Sequence, residues 1–146
     1  MLPEISAILG IYQLKRLDEF VARRSVIAQR YNSELGKIDG LRTVKVPACS
    51  RSSYYKYPLI LDGKIDKAKF TRMLFEDFGI ETGNIFYPPC HLQTVYKKLG
   101  AVSYGSLLTS ECVLSRTITL PMHVGLTDED VAYVLDKVSL LAGKLS

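Results

Sequence analysis

The sequence lacks most of the residue patterns by which metal and disulfide sites are recognised. Its 146 residues include only three cysteines and two histidines. No two cysteines have CxxC spacing and their number is odd, so no disulfide framework is expected. The histidines, His91 and His123, lie 32 positions apart, and neither has a second ligand at helical i, i+4 spacing. We therefore expect no metal site.

Phosphate-loop and membrane signals are also missing. Neither GxGxxG nor GxxxxGK[ST] occurs in the sequence, so no phosphate loop of these types is expected. No apolar run approaches the roughly 18 residues that cross a bilayer. The N-terminal letters MLPEI lack the basic and apolar regions of a signal peptide. With three free thiols, these observations predict a soluble, cytoplasmic protein that has no membrane partner.

Charge and composition are those of an ordinary globular domain. The net charge is +4, and the Lys and Arg residues are scattered along the chain. A nucleic-acid-binding protein usually gathers them into one stripe with interleaved aromatic residues, so no nucleic-acid partner is expected. Hydrophobic residues make up 47% and charged residues 23%. Together with the length, this predicts one domain with a core of its own.

Helical periodicity dominates the N-terminal quarter. Apolar residues recur at a spacing near 3.6 over residues 3–36, which predicts one long helix, bent near Gly10. Its first two turns, ISAILGIY, are apolar nearly all round, which indicates burial on more than one side. Asp66 is placed to cap a helix that ends at Gly79, and Thr127 to cap the last helix. Two shorter helices are predicted over residues 92–99 and 106–115.

Four strands are predicted between these helices, over residues 41–46, 53–61, 80–86 and 116–122. Pro58 lies within the second, which favours an edge position or a bulge there. The pattern as a whole predicts an α+β fold, in which helices cover a mostly antiparallel sheet.

The letters YPPCHLQ, residues 87–93, contain the most suggestive pair of side chains. A Cys–His dyad needs converging side chains, whereas adjacent residues on an extended segment point to opposite sides, so Cys90 and His91 are not expected to form one. A lone thiol in an apolar loop is typically inert packing. His91 follows two prolines and precedes a helix, where a rigid loop can hold a polar group at the edge of a domain. From the residues alone it is either such a group or an exposed loop histidine.

Three stretches together resemble one family. They are LPEISAILGIYQLKRLDEFVARRSVIAQRYNSEL, GIETGNIFYPPCHLQTVYKKLG and SECVLSRTITLPMHVGLTDEDVAYVLDKV. In this order and spacing they resemble the C-terminal part of the DegT/DnrJ/EryC1/StrS sugar aminotransferases. The resemblance implies a pyridoxal-phosphate (PLP) enzyme with the aspartate-aminotransferase fold, which moves an amino group, usually from glutamate, onto a nucleotide-linked keto-sugar. It also implies a homodimer whose active sites lie at the subunit interface.

By this resemblance, residues 1–146 are one small domain, with an interdomain helix over 1–36 and an α/β part over 37–146. The larger PLP-binding domain is absent from this chain. The family's cofactor-binding lysine lies upstream, in a Ser- and Gly-rich context that no lysine here shares. No catalytic or cofactor-binding residue is therefore expected in this chain, no cofactor is expected to bind it, and alone it is expected to be inactive.

Site residues follow from the same resemblance. His91 matches the HLQ histidine that points into the family's active site near the sugar, Tyr87 lies in the same loop, and Cys90 occupies a position that varies. We therefore expect His91 and Tyr87 to bind substrate. The alternative hypothesis is a non-catalytic binding or regulatory module with the same fold.

Overall fold

The computed structural model describes residues 3–100 and 105–145. The helices are α1 (Glu4–Lys15), α2 (Leu17–Leu35), α3 (Lys67–Phe78), α4 (Thr94–Lys98), α5 (Leu108–Arg116) and α6 (Asp128–Leu145). The strands are β1 (Leu41–Thr43), β2 (Tyr57–Leu61) and β3 (Thr117–Leu120), and a 3-10 turn spans Cys90–Leu92. Helices around a small antiparallel sheet confirm the predicted α+β class.

The N-terminal segment forms two helices instead of one, and the break lies at Arg16 rather than near Gly10. Arg16 leaves helical geometry at φ −101° and ψ 2°, and its N–H donates to the carbonyl of Gln13. Its guanidinium turns forward onto α2, with Nε 3.2 Å from Oε2 of Glu19 and Cζ 4.6 Å from the ring centre of Phe20. Because position 16 holds neither Gly nor Pro, the sequence gives no breaker signal there.

The two N-terminal helices differ sharply in burial. Helix α2 packs against the core and buries one apolar stripe: Val21, Ile27, Ala28, Tyr31 and Leu35. Helix α1 buries no side chain against the described residues. Six of its large apolar side chains are more than half exposed: Ile5, Ile8, Leu9, Ile11, Tyr12 and Leu14. The burial expected of α1 is thus not provided by residues 3–100 and 105–145.

The sheet has the strand order β1-β2-β3, with both pairs antiparallel. Its strands are shorter than predicted, and the prediction of a strand over residues 80–86 was wrong. In that stretch only Gly83 pairs with the sheet, exchanging hydrogen bonds of 3.0 and 2.8 Å with the backbone of Thr119. A Cβ at Gly83 would lie 2.6 Å from Oγ1 of Thr119, so this approach requires glycine. Phe86, at φ 44°, then leaves the extended conformation.

Pro58 lies in the middle strand, so the prediction of an edge strand was wrong. Its partner on β3 is Thr119, and the register contains no bulge. On the other side, the last pair between β1 and β2 joins Thr43 to Leu59. Pro58 is therefore one residue beyond the end of β1, where its missing N–H interrupts no hydrogen bond with that strand.

The predicted caps of α3 and α6 are confirmed. Oδ1 of Asp66 accepts from the N–H of Lys69 at 2.8 Å, and Gly79 ends α3 at φ 67°. At the start of α6, the N–H of Asp130 donates to Oγ1 of Thr127 at 3.1 Å, and Oδ2 of Asp130 accepts from the N–H of Thr127 at 2.9 Å. These two reciprocal hydrogen bonds form the pattern of a capping box.

The core lies between the sheet and helices α2, α3 and α6. Helix α6 turns an apolar stripe toward this core that includes Val131, Val134, Leu135, Val138 and Leu141. Arg23 of α2 holds the start of α6, because its guanidinium donates to Oδ1 of Asp128 at 3.0 Å and to the carbonyl of Leu126. Within residues 3–100 and 105–145, no helix combines the length and apolar character needed to cross a membrane.

Candidate substrate-binding site

The loop that contains the candidate residues is closed by its own hydrogen bonds. The side chain of Gln93 donates from Nε2 to the carbonyl of Pro88 at 3.0 Å. Inside this closure the N–H of Leu92 donates to the carbonyl of Pro89 at 2.9 Å, and the N–H of Gln93 donates to that of Cys90 at 3.0 Å. These contacts form the 3-10 turn over Cys90–Leu92. The loop therefore has a defined shape, and the bond made by the Gln93 side chain was not anticipated from the sequence.

His91 is held by a carboxylate from the next long helix. Its Nε2 lies 2.8 Å from Oε1 of Glu111, in the first turn of α5. The two side chains are only 22% and 34% exposed, so the contact is partly shielded from water. Glu111 was missed as a site residue, although it lies in the third stretch that carries the family resemblance. No local pattern pairs two residues 20 positions apart.

Tyr87 lies over an ammonium group from another helix. Nζ of Lys67, in the first turn of α3, is 4.9 Å from the centre of the Tyr87 ring. This is within range of a cation–π interaction. The ammonium is buried and has no hydrogen-bond partner in the described part of the chain. Burial lowers the pKa of Lys67, because it penalises the charged form.

A cleft of about 460 Å³ lies between the loop and α5. Its lining side chains are Tyr87, Pro89, Leu92, Leu108, Glu111, Cys112 and Ser115. Tyr87 and Glu111 thus line the same cleft. His91 does not line it, but its imidazole is hydrogen-bonded to Glu111, which does. The structure therefore brings the two predicted substrate-binding residues to one small region.

The cysteines do not take part in the hydrogen bond of His91. Cys49, Cys90 and Cys112 are free and exposed. Cys90 is a neighbour of His91 in the turn, but the partner of the imidazole is Glu111. The geometry therefore contains a histidine–carboxylate pair, and it gives no support to nucleophilic catalysis by a thiol.

The second histidine lines a different cleft. His123 follows β3 and shares a space of about 700 Å³ with Thr119, Asp130 and Tyr133. Hydrogen bonds from the backbone and hydroxyl of Thr127 lower the pKa of Asp130, and the charge of His123 lowers it further. Within residues 3–100 and 105–145, no three His, Cys, Asp or Glu side chains come together as a metal site requires.

The described residues do not by themselves fit a PLP site. Such a site needs a lysine amine for the aldehyde and a charged partner for the pyridine nitrogen. Among residues 3–100 and 105–145, Lys67 is the one lysine whose ammonium is buried without a hydrogen-bond partner. It lies under the Tyr87 ring and forms no ion pair with a carboxylate in those ranges. The described residues therefore do not supply both groups that PLP chemistry needs.

Sequence comparison identifies relatives of the whole chain. The sequence model of the DegT/DnrJ/EryC1/StrS aminotransferase family matches residues 1–139. The chain is 33% identical over 135 residues to the dTDP-4-dehydro-2,3,6-trideoxy-D-glucose 4-aminotransferase of Saccharopolyspora spinosa, covering 92% of this chain and 33% of that protein. It is 27% identical over 148 residues to the UDP-4-amino-4,6-dideoxy-N-acetyl-beta-L-altrosamine transaminase of Campylobacter jejuni, covering 99% of this chain and 38% of that protein.

Structural comparison leads to the same group. The crystal structure of the aminotransferase TlmJ from Streptoalloteichus hindustanus matches with a TM-score of 0.86 at 36% identity, covering 100% of this chain and 38% of that one. The predicted aminotransferase fold is thereby confirmed. The chain spans between 33% and 38% of the lengths of these three proteins. On the match over residues 1–139 and these similarities, the chain belongs to the DegT/DnrJ/EryC1/StrS aminotransferase family.

Proposed function

We propose that this chain is the C-terminal small domain of a PLP-dependent enzyme that transfers an amino group, from glutamate, to a nucleotide-linked keto-sugar. The observation that carries the proposal is the family match over residues 1–139. Relatives whose names specify amino transfer on dTDP- and UDP-linked sugars support it. Because both nucleotides occur among these relatives, the similarity does not select the nucleotide for this chain.

The partner proposed for this domain is the large PLP-binding domain of the same enzyme. The relatives are about three times as long as the part that this chain matches. Helix α1 presents an apolar surface that no described residue covers. A surface of this kind typically marks an interaction site. In this arrangement residues 1–36 join the two domains, residues 37–146 form the small domain, and α1 packs against the large one.

His91 and Tyr87 are the proposed contacts to the sugar. His91 belongs to the loop closed by Gln93 and Tyr87 directly precedes that loop, and the cleft that Tyr87 and Glu111 line lies beside it. The imidazole can exchange hydrogen bonds with hydroxyl groups, and the half-exposed ring of Tyr87 offers an apolar face and a phenol. In this proposal the small domain binds and orients the sugar, while the lysine that reacts with the cofactor comes from the large domain. The enzyme acts as a cytoplasmic homodimer.

This chain by itself is proposed to be inactive, since none of its lysines has the Ser- and Gly-rich context of the family's cofactor-binding residue. The first test is to read the coding sequence upstream of Met1, and then to assay the complete product with glutamate and nucleotide-linked keto-sugars. The expected result is a frame that encodes a large domain with that lysine, and an enzyme that forms 2-oxoglutarate. A product that lacks such a domain and binds a nucleotide-linked sugar without amino transfer would establish the non-catalytic module instead.

A further inference from the structure

The imidazole of His91 has one nitrogen, Nε2, engaged by another residue of the described part of the chain. Nε2 lies 2.8 Å from Oε1 of Glu111. Nδ1 makes no hydrogen bond within residues 3–100 and 105–145, and it is not among the buried polar atoms that lack a partner. The ring is rigid, so engaging Nε2 also fixes the direction in which Nδ1 points. The carboxylate thus determines which nitrogen a ligand can meet.

We propose that Glu111 is the positioning residue of His91. It accepts the Nε2–H and leaves Nδ1 as the atom that meets a hydroxyl group of the substrate. The inference rests on the proposed function, because it takes His91 as a contact to the sugar. It adds the residue that orients the ring and the identity of the contacting atom.

The Glu111 carboxylate determines which nitrogen of the His91 imidazole carries the hydrogen. An ionised carboxylate has only acceptors, so the imidazole nitrogen that faces it is the one that carries a hydrogen. A neutral imidazole has only one N–H, so its other nitrogen then carries a lone pair. Nδ1 therefore accepts from the ligand while the ring is neutral and donates to it once the ring is protonated. A sugar hydroxyl both donates and accepts, and so matches either state.

The surroundings of the pair are suited to holding a ring in place. Glu111 lies in a helix, where its N–H donates to the carbonyl of Leu107 at 3.0 Å. The bond from Gln93 to the carbonyl of Pro88 holds the loop on the other side. A fully exposed ion pair contributes little, because water screens it and its side chains remain mobile. This pair is 22% and 34% exposed, and its 2.8 Å separation is that of a charge-assisted hydrogen bond.

The first arm of the test observes the ring itself. The chain has only two histidines, so His123, whose side chain is exposed, serves as an internal reference. Nitrogen-15 spectra of the labelled 146-residue chain report which imidazole nitrogen is protonated and how fast its hydrogen exchanges with water. We expect His91 to be protonated at Nε2 and to exchange more slowly than His123.

Substitutions then test the cause. Glu111→Ala should raise the exchange rate of His91 to that of His123, and Glu111→Gln, which keeps an acceptor oxygen, should restore slow exchange in part. Glu76→Ala is the matched control, because Glu76 is an exposed helical glutamate with a long ion pair to Arg72 of 3.9 Å. If His91 keeps its tautomer and its exchange rate in Glu111→Ala, the carboxylate does not position the ring and the proposal is overturned.

The second arm uses the complete enzyme that carries this chain. Glu111→Ala should lower kcat/KM for the sugar about tenfold, the scale of one lost hydrogen bond, and Glu111→Gln should recover part of it. If Glu111 acts only through His91, the double variant should be no worse than His91→Ala alone. Additive losses overturn the role of Glu111 only. A His91→Ala enzyme with full activity instead overturns the proposed sugar contact, and the inference with it.

Discussion

The rings of Tyr31 and Tyr57 pack against each other in the core, with their centres 4.8 Å apart and their planes at 60°. Each hydroxyl reaches a different acceptor. Tyr31 donates to the carbonyl of Pro121 at 3.1 Å, and Tyr57 donates to Oδ1 of Asn32 at 2.7 Å. The pair therefore joins α2 to the middle strand and to the segment after β3. That segment leads to α6, so the contact fixes the relative position of the main core elements.

Removal of one hydroxyl should weaken this connection measurably. Tyr57→Phe keeps the ring but leaves the partly buried amide oxygen of Asn32 without its donor. We expect the free energy of unfolding in urea to fall by about 1–2 kcal/mol. Tyr55→Phe is the control, since Tyr55 is largely exposed and should change stability by less than about 0.5 kcal/mol. Equal effects of the two substitutions would contradict the assigned hydrogen bond.

The same tyrosines should make the protein sensitive to alkaline pH. Burial raises the pKa of both Tyr31 and Tyr57 above the ordinary value, because the phenolate is poorly solvated in the core. Below pH of about 10, the unfolded and folded states are both protonated at these positions. Above it the unfolded chain loses protons first, so stability falls as pH rises further. Measured against pH, the free energy of unfolding should fall less steeply in Tyr57→Phe than in the wild type. Equally steep curves for the two proteins would contradict this prediction.

Local signals in the sequence account for much of the fold. The caps at Asp66 and Thr127 act within three residues of their partners, so their patterns could be recognised without tertiary information. The pairing within residues 80–86 could not be predicted from local signals. Its single paired residue, Gly83, contacts Thr119, which is distant in the sequence. The helix break at Arg16 was not predictable either, because it contains no Gly or Pro. It is accompanied instead by contacts of the Arg16 side chain with Glu19 and Phe20.

The candidate site shows the same division. His91 and Tyr87 were identified from the family resemblance, which uses the order of motifs along the chain. Their partners, Glu111 and Lys67, are supplied by two other helices. Spacing alone gives no reason to pair these residues, because only the packing of α3 and α5 around the loop brings them together.

The uncovered surface of α1 should cause self-association of the isolated chain. Ile8 and Leu9 are more than half exposed, in a helix whose side chains no described residue buries. Exposed apolar patches drive association in water. Sedimentation of the 146-residue chain should show oligomers that increase with concentration, and Ile8→Glu should shift them toward monomer. Gln13→Glu, which adds the same charge to the same helix without removing apolar surface, is the control. A strict monomer at high concentration that binds no hydrophobic dye would contradict this prediction.

The isolated chain should form no specific covalent link to PLP. The ammonium of Lys67 is buried under the Tyr87 ring and pairs with no carboxylate in residues 3–100 and 105–145. After incubation with PLP and reduction with borohydride, mass spectrometry should detect only low-level modification scattered over exposed lysines. One stoichiometric adduct at a single lysine would show that the chain contains a cofactor site of its own. The complete enzyme, treated in the same way, provides the positive control.

The final prediction separates substrate binding from structural support by two substitutions in the complete enzyme. His91 lies in the loop and is not part of the hydrophobic core, so His91→Ala should change the melting temperature little. Loss of a hydrogen bond to the substrate should lower single-turnover amino transfer roughly tenfold or more.

Leu120 provides the contrast, because it is 3% exposed in β3 opposite Tyr57. Leu120→Ala should destabilise the domain by about 2–5 kcal/mol through the cavity that it leaves. Its effect on amino transfer should follow the fraction of folded enzyme, and so disappear well below the melting temperature. If His91→Ala retains wild-type turnover, or loses activity only in proportion to a fall in melting temperature like that of Leu120→Ala, then His91 is a structural loop residue. The sugar contact must in that case be sought elsewhere around the Tyr87 cleft.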